Sequence, residues 1–291
     1  MKTSMYKYLC LLLMTVCCLN VHAYTRYGSN NLVHVLRIGL AGGGTFNLTP
    51  AECAMTSNIG GGGALAFDYA FYKSLSKVDL GLRIGLDLGY QYSPYSAQFE
   101  HQYSNVDYLG NQMDYTTSDV MDITQNQLYA SVPLMFALRS KGFVWNIGAR
   151  VQMAMYQVGK QQLSNPLIEA YYPAYGVTVS NVLITGVVAE NQMVLPVEFP
   201  ANALDIMAAT EIGYEYTFRR SKSAIGALAY FNIGIWNSFP EATGNPIIQV
   251  APITDKNNPV PAVTVNNAYN ALLTSYIPMQ FGVKLYYAFT L

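Results

Sequence analysis

The sequence is poor in charge, and beyond its N-terminus it lacks any hydrophobic stretch long enough to form a membrane-spanning helix. Charged side chains make up 11% of the 291 residues, whereas about 25% is typical of a soluble domain. Glycine and tyrosine are abundant instead, with 23 and 24 residues. Because a soluble protein with so little charge tends to associate, this composition favours a surface that faces lipid.

Cysteine is also scarce, and three of the four cysteines lie in an N-terminal segment that resembles a secretory signal. Lys2 and Lys7 are its basic residues, Leu9 to Leu19 its apolar stretch, and Val21-His22-Ala23 its small-residue cleavage site. We therefore predict a signal peptide at residues 1–23. Its removal leaves only Cys53, which excludes an internal disulfide and a cysteine metal cluster in the mature monomer.

Two alternatives for this segment fit less well. An uncleaved membrane anchor needs roughly 20 apolar residues, and this stretch is shorter. A lipoprotein would be acylated at Cys17 or Cys18, but Met14-Thr15-Val16 lacks the small residues expected before such a cysteine. Cleavage after Ala23 is the interpretation that agrees with all three parts of the segment.

The segment from Val78 to Tyr92 alternates strictly between two kinds of residue. Its even positions are Val78, Leu80, Leu82, Ile84, Leu86, Leu88, Tyr90 and Tyr92, and its odd positions are Asp79, Gly81, Arg83, Gly85, Asp87, Gly89 and Gln91. Residues that repeat every two positions share one face of a strand but do not share a face of an α-helix, so this pattern does not fit a helix. The segment is also much longer than the usual strand of about 5–6 residues, so it predicts a long strand with one apolar face.

Seven more segments show the same alternation. They are residues 33–48, 59–72, 125–139, 143–157, 204–218, 224–237 and 281–291. Short connections (73–77, 139–142 and 219–223) alternate with longer ones (49–58, 93–124, 158–203 and 238–275). An even number of strands with short turns at one end and long loops at the other is typical of bacterial outer-membrane barrels.

The fold class that we predict is all-β: an eight-stranded antiparallel transmembrane up-and-down β-barrel with long extracellular loops. A chain that crosses a bilayer without a helix must pair its backbone in a closed sheet. The barrel covers residues 33–291, after a signal peptide at 1–23 and a short periplasmic segment at 24–32. The expected location is the bacterial outer membrane.

The alternative is a soluble exported β-sandwich or lipocalin-like barrel, which would turn its apolar face inward. Here the apolar face carries the bulky residues, and the other face carries glycine, alanine and charge. A small barrel has no room for eight rows of leucine and phenylalanine inside. Aromatic residues near the strand ends, such as Tyr90, Tyr129 and Tyr156 at the loop end and Trp145 at the turn end, are typical of interfacial girdles.

The final strand carries Tyr287, Phe289 and Leu291 on its apolar face. It resembles the C-terminal signal by which the barrel-assembly machinery recognises its substrates, with leucine in place of the commoner final phenylalanine. The stretch QLYASVPLMFALRSKGFVWNIGARVQM, with RIGLAGGGTFNL and DIMAATEIGYEYTF, resembles PorT-like (OmpA-OmpX-like) outer-membrane barrels of the Bacteroidales. This resemblance implies an architecture and no activity.

Charges are sorted along the predicted strands and turns. Ten fall on the inward parity, Asp79 and Asp205 among them. We predict that the other eight pair into a plug because an eight-stranded barrel is just wide enough for its side chains and unpaired burial is costly. They are Arg37, Asp68, Arg83, Asp87, Arg150, Glu211, Glu215 and Lys284. A gated proton or ion path is the functional alternative.

The three short turns hold seven basic residues and no acid. They are Lys73, Lys77, Arg139, Lys141, Arg219, Arg220 and Lys222. We expect them to contact anionic phospholipid headgroups, although charge placed in turns by chance is an alternative explanation.

Catalytic and cofactor-binding patterns are weak. His101 with Asp107 or Asp114 is the arrangement closest to an acid–base site, but their spacing fixes no geometry, and His34 lies at the start of the first strand. The glycine runs at 42–44 and 60–63 lack the Lys-Ser or Lys-Thr of a phosphate loop. No external basic patch suggests nucleic acid. We therefore expect no enzyme activity, cofactor or metal, and no nucleic-acid partner.

The long loops carry the remaining functional signal. Residues 93–124 contain Tyr95, Tyr103, Tyr108 and Tyr115, a candidate binding surface since exposed tyrosines are good interface anchors. Residues 177–188 are strand-like, and 247–265 predict a hairpin. We expect β-structure that projects beyond the membrane and whose edge captures another strand. Loops that merely fold over the barrel mouth are the alternative.

The leading functional hypothesis is a non-enzymatic surface protein. Its loops would bind an extracellular protein or glycan, or it would contribute to envelope architecture, with outer-membrane lipids as its surroundings. A small-solute channel is the runner-up. An accessory role in a secretion apparatus is suggested by the resemblance alone.

Overall fold

The computed structural model describes residues 32–49, 55–75, 78–107, 109–164, 167–180, 193–197, 204–218, 222–237, 247–252, 263–267 and 276–291. The predicted signal peptide, residues 24–31, Cys53 and Tyr108 lie outside the described residues. Residues Val33–Leu291 form one compact unit. Within the described ranges, no helix is both long and apolar enough to cross a membrane.

The described part of the chain is all-β. Its strands are β1 (Leu32–Leu48), β2 (Met55–Ser57), β3 (Gly60–Leu75), β4 (Val78–Val106), β5 (Gln112–Ser140), β6 (Phe143–Leu163), β7 (Leu167–Tyr172), β8 (Val177–Ser180), β9 (Met193–Val197), β10 (Leu204–Thr217), β11 (Ser223–Asn237), β12 (Ile248–Val250), β13 (Val263–Val265) and β14 (Ile277–Thr290).

Eight of these strands pair into a closed ring. Following the pairings, the order is β1, β3, β4, β5, β6, β10, β11, β14 and back to β1. The seven ring pairings other than β1–β3 are antiparallel in register, and β14 closes the ring on β1 with Leu40 opposite Leu285. The sequence therefore predicted the number of ring strands and their positions correctly.

Two residues form the tight turn between β5 and β6. Lys141 and Gly142 both have positive φ, at 48° and 89°. Two such residues between paired strands form a type I′ turn, whose twist matches that of the strands it joins. Glycine supplies the second position without steric cost, which is why the chain reverses within Arg139–Gly142 as predicted.

The ring strands point their two sets of side chains in opposite directions, as alternation requires. Bulky apolar residues such as Leu40, Leu65, Leu134 and Leu285 are exposed on the outer face. Small and charged residues such as Ala66 and Arg83 are buried inside. Tyr129, expected in the aromatic girdle at the loop end, is instead buried, because it lies on the inward, odd parity of β5.

Strands β4, β5 and β6 continue beyond the ring and form what we call the extension: residues 93–106, 112–125 and 158–163, with β2, β7, β8 and β9 paired to them. The sequence predicted projecting β-structure here. It underestimated the length of the β4–β5 hairpin. Strand β4 runs to Val106 and β5 begins at Gln112, and the two strands stay paired throughout the extension.

The polarity of the two faces reverses where the ring becomes the extension. Inside the extension lies an apolar core that includes Met55, Phe99, Met121, Ile123 and Leu163. The outer face of β4 there carries Pro94, Ser96, Gln98, Glu100, Gln102 and Ser104. The ring is thus mostly apolar outside and polar inside, whereas the extension is mostly polar outside and apolar inside, with Val106, Val120 and Val158 as exposed apolar residues.

The predicted hairpin within 247–265 is confirmed by the pairing of β12 with β13, in which Gln249 lies opposite Thr264. Ile247, Ile248 and Val250 of this hairpin belong to the core of the extension. Its predicted turn at 255–258 and residues 181–188 of the predicted strand at 177–188 lie outside the described residues.

Candidate functional site

Six of the eight predicted interior charges meet at the centre of the ring. Asp68, Arg83, Asp87, Arg150, Glu211 and Lys284 form this central group, and all six are buried. The Arg83 guanidinium makes two hydrogen bonds to the Glu211 carboxylate and one of 3.0 Å to Asp68. Three cations face three anions, so the group is neutral.

The remaining pairs of the central group tie separate strands together. Arg150 Nη2 lies 2.8 Å from Asp87 Oδ2, and Lys284 Nζ lies 2.9 Å from Asp68 Oδ2. These contacts join β6 to β4 and β14 to β3. Charges without partners at this depth would cost several kcal/mol each, so the pairing explains how the ring tolerates them.

The other two predicted charges, Arg37 and Glu215, lie 3.1 Å apart nearer the turn end. They share their group with Arg139, which is 3.2 Å from Glu215 and 2.9 Å from Asp79. This turn-end group holds two cations and two anions. The expectation that Arg139 contacts lipid headgroups is wrong, since its side chain follows the inward parity of β5 and reaches these carboxylates.

Two tyrosines surround the turn-end group. Arg37 Nη2 donates to the Tyr72 hydroxyl at 2.8 Å, and the Tyr286 hydroxyl donates to Glu215 at 3.0 Å. The Arg37 guanidinium also lies 4.9 Å from the centre of the Tyr286 ring, within the range of a cation–π contact. Sequence parity placed Asp79 and both tyrosines inside, but it could not show that the tyrosines contact these charges.

Amide side chains form the next layer towards the extension. Gln280 Nε2 donates to Gln91 at 3.0 Å and to Gln152 at 2.9 Å, and Asn232 Nδ2 donates to Gln280 at 3.1 Å. Between this layer and the central group is a cavity of about 20 Å³, enough for one water molecule. Charged, amide and apolar layers thus follow one another along the interior of the described structure.

The candidate binding tyrosines are mostly not surface residues. Tyr95 and Tyr115 are 1% and 2% exposed and belong to the core of the extension, so their prediction as exposed anchors is wrong. Both occupy odd, inward positions that continue the alternation of the ring strands. Tyr103 is partly buried and accepts a hydrogen bond of 2.6 Å from the Val250 backbone, and Tyr108 lies outside the described residues.

Burial also alters the acidity of these phenols. It raises the pKa of Tyr115 to about 12, with a smaller contribution from neighbouring Tyr172. The Tyr103 and Tyr115 rings stack with centres 5.6 Å apart. These side chains stabilise the extension and are not free to titrate near neutral pH.

A single carboxylate orders the tip of the β4–β5 hairpin. Asp107 Oδ1 accepts from the Leu109 and Asn111 backbones, each at 2.8 Å, and Oδ2 accepts from Asn111 Nδ2 at 3.0 Å. These bonds, that of the Asn111 side chain first, hold the pKa of Asp107 below its usual range. Gly110 follows with φ of 82°.

The outer face of the extension is polar and carries more acids than bases. Glu100 and Asp122 are exposed there, while Lys160 is the one exposed base among the described residues of the extension. Strand β8 ends the sheet, and its four residues are all exposed.

The predicted insertion signal lies on the outer face of β14. Tyr287, Phe289 and Leu291 are all exposed, and the first two rings meet edge to face with centres 4.6 Å apart. The Leu291 backbone donates to His34 O at 2.9 Å, which continues the ladder to the last residue.

The residues of the enzyme alternative do not assemble into a site. His34 Nδ1 bonds to the Tyr69 hydroxyl at 2.6 Å. Asp107 bonds to its own turn and Asp114 to Ser104 and Gln112; no hydrogen bond or ion pair found in the described structure joins either to His101. Within the described ranges no group of three or more His, Cys, Asp or Glu side chains is arranged to hold a metal ion.

Comparison of the sequence with models of protein families gives no match, and comparison with curated proteins gives none either. The resemblance to PorT-like barrels therefore stays a prediction.

Proposed function

We propose that this chain is an integral outer-membrane protein. Its eight-stranded ring is a transmembrane β-barrel with a plugged interior, and its extension stands in water on the loop side. The protein has no enzymatic role; it presents the outer face of the extension to an extracellular protein or glycan. Export by a cleaved signal peptide and insertion by the barrel-assembly machinery are parts of the same proposal.

The observation that carries this proposal is the position along the strands at which the outward residues change from apolar to polar. On three adjacent strands Tyr90, Leu128 and Tyr156 share one rung of the ladder. Three outward rungs further out, Ser96, Asp122 and Gln162 share another, and all three are polar. A boundary that runs level across neighbouring strands is expected where a protein leaves a bilayer, and the extension beyond it is packed like a water-soluble domain.

The height of the apolar band agrees with a bilayer. From Leu80 to Tyr92 the outer face of β4 is apolar, a span of about 40 Å along the strand at about 3.3 Å per residue. Strands of such barrels tilt by up to about 45°, which reduces this span to about 28 Å, close to the band of about 25 Å in known barrels.

The layered interior favours a plug over the channel alternative. The two neutral ionic groups and the amide layer occupy the width of the ring at successive depths. We expect purified protein in a planar lipid bilayer to give no steady ion current. Steady, reproducible conductance steps would contradict the plugged interior and favour the channel.

Display of a binding surface is tested by site-specific photocrosslinking in the native envelope. A photoreactive residue in place of Gln98 or Thr116, both on the outer face of the extension, is expected to give discrete protein or glycan adducts. The matched control is the same residue in place of Ile84 or Leu134, which should capture lipid only. Absence of adducts from every extension position would contradict display, whereas adducts to secretion components would favour the accessory role.

A further inference from the structure

The β12–β13 hairpin packs in the extension as a separate piece of sheet. Its two strands pair with each other in a two-stranded sheet of their own, whereas the other strands of the extension belong to the main sheet. Ile247, Ile248 and Val250 are at most 2% exposed and belong to the apolar core of the extension. Gln249, between the last two, is exposed. Strand β12 thus directs alternate side chains into a core whose walls are built by other strands.

Two side chains of β4 hold the backbone of Val250. Its N–H donates to the Tyr103 hydroxyl at 2.6 Å, and its C=O accepts from Asn105 Nδ2 at 2.9 Å. Opposite residues of an antiparallel pair alternate between those that exchange backbone bonds and those that do not. Asn266 N donates to Ile247 O at 2.7 Å, so Val250, three positions on, directs its N–H and C=O away from β13. We call Tyr103 and Asn105 the clamp, because together they bind both backbone groups of one extended residue.

The inner face of the extension has the parts of a site for an extended peptide. Such sites bind the main chain for affinity and take alternate side chains into pockets for specificity. The clamp binds the main chain, and the core of the extension takes the side chains of Ile248 and Val250. Met55, Met113 and Met121 belong to this core, and flexible methionine side chains adjust to apolar partners of different shapes.

We propose that the inner face of the extension is a binding site for an extended peptide with branched apolar side chains at alternate positions, and that residues 247–250 occupy it as an internal ligand. A matching segment of another protein displaces the β12–β13 hairpin and takes its bonds to the clamp. Since β12 and β13 form their own sheet, the departure of the hairpin leaves the pairing of the main sheet intact. The site lies on the face of the sheet opposite to the displayed outer face, and it does not require a bilayer.

The test measures amide hydrogen exchange of the full chain in detergent, without and with the synthetic peptide NPIIQVAP, the sequence of residues 245–252. We expect the amides of Gln249 and Val250 to exchange together, several-fold faster than those of Met121 and Ile123 in the main sheet, because the hairpin opens as a unit of its own. Excess peptide should speed the exchange of the hairpin amides further, because it binds the open state and shifts the equilibrium towards it.

Two controls separate the apolar side chains from the clamp. A peptide of the same length with Ile248→Asp and Val250→Asp keeps the backbone groups and should leave the exchange unchanged. In the full chain, Tyr103→Phe with Asn105→Ala removes the clamp, and it should speed the exchange of the hairpin amides several-fold. Gln102→Ala, next to the clamp but exposed on the outer face of β4, is the matched variant and should not.

Hairpin amides that exchange as slowly as that of Met121, with or without peptide, would overturn the proposal, since the hairpin would then be a fixed part of the core. Equal acceleration by the apolar and the Asp-substituted peptide would also overturn it, because the effect would not depend on the side chains that the core takes. Clamp variants that exchange like the unmodified chain would do the same. Display by the outer face is tested separately, by crosslinking at Gln98 and Thr116, so the two proposals fail independently.

Discussion

Arg83 and Glu211, which are 128 residues apart in the sequence, form a two-point ion pair across the interior of the ring. Arg83 also binds Asp68, and Glu211 also accepts from Asn146 at 3.1 Å. The pair and these two further bonds therefore link β3, β4, β6 and β10.

Removal of Arg83 alone is expected to destabilise the protein strongly. The Arg83→Met substitution leaves three carboxylates with two cations in a buried site, and breaking a buried pair in this way costs about 3–5 kcal/mol. The free energy of unfolding in urea, followed in vesicles by tryptophan fluorescence, measures the loss.

The double variant Arg83→Met/Glu211→Met restores neutrality, with two cations and two anions left. We expect its destabilisation to fall short of the sum of the single variants by about 0.5–3 kcal/mol. Strict additivity would mean that the two side chains do not interact as the structure indicates.

A glycine–aromatic pair supports the turn-end group. Gly226 lies directly opposite Tyr286, and a Cβ on Gly226 would overlap the Tyr286 ring. Gly226→Ala should displace the ring, break its bond to Glu215, and cost about 1–3 kcal/mol by overpacking. The unfolding midpoint in urea measures the effect.

Two further variants separate this clash from a general effect of the substitution. Ala227→Leu, on the outer face of the same strand, should be close to neutral. Adding Tyr286→Ala to Gly226→Ala should remove the clash, so that Gly226→Ala costs less in the Tyr286→Ala background. An equal cost in both backgrounds would exclude the ring contact as the cause.

The hairpin tip should respond to acid. Because hydrogen bonds lower the folded-state pKa of Asp107, its contribution is present above the unfolded value of about 3.9 and is lost as pH falls through the lower folded value. We expect an NMR titration midpoint for Asp107 below about 3.9.

The same turn can be tested by substitution. Asp107→Ala should speed amide hydrogen exchange at Leu109 and Asn111, while Asp107→Asn, which keeps an acceptor, should do so less. Equal exchange in the two variants would mean that the carboxylate bonds do not hold the tip.

The sequence predicted the ring from a pattern that the structure follows, but it could not identify contacts between distant strands. Alternation placed Arg83 and Glu211 on the same inner side, because side-chain direction depends only on local parity. Which cation meets which anion depends on the stagger of eight strands around the ring. Arg139 was misassigned because it was counted with the turn, although its odd position shares the inward parity of Met135 and Ala137 on β5.

The extension was misjudged because its composition resembles that of a loop. Polar residues at Ser96, Gln98 and Glu100 conceal the fact that Tyr95, Ala97 and Phe99 continue the inward parity. Counting parity beyond Tyr92 would have revealed buried tyrosines, since the alternation persists while its polarity reverses.

Charge on the outer face should have opposite consequences in the ring and in the extension. Ile84 and Gln98 both point outward from β4 and are both exposed. In vesicles, Ile84→Arg should destabilise by about 2–4 kcal/mol, the cost of arginine near a bilayer midplane, whereas Gln98→Arg should change the free energy of unfolding by at most about 0.5 kcal/mol. Equal, small effects would indicate that both positions face water.

The account depends most on the boundary between Tyr92 and Ser96, and a spin-label scan along β4 measures it directly. Single cysteines at outward positions 80, 84, 88, 96, 98 and 102, in a chain whose native cysteines are replaced by serine, carry nitroxides in vesicle-reconstituted protein. We predict high collision rates with dissolved oxygen and low rates with a water-soluble nickel complex at the first three positions, and the reverse at the last three. High accessibility to the nickel complex at all six positions would contradict the bilayer location of the ring.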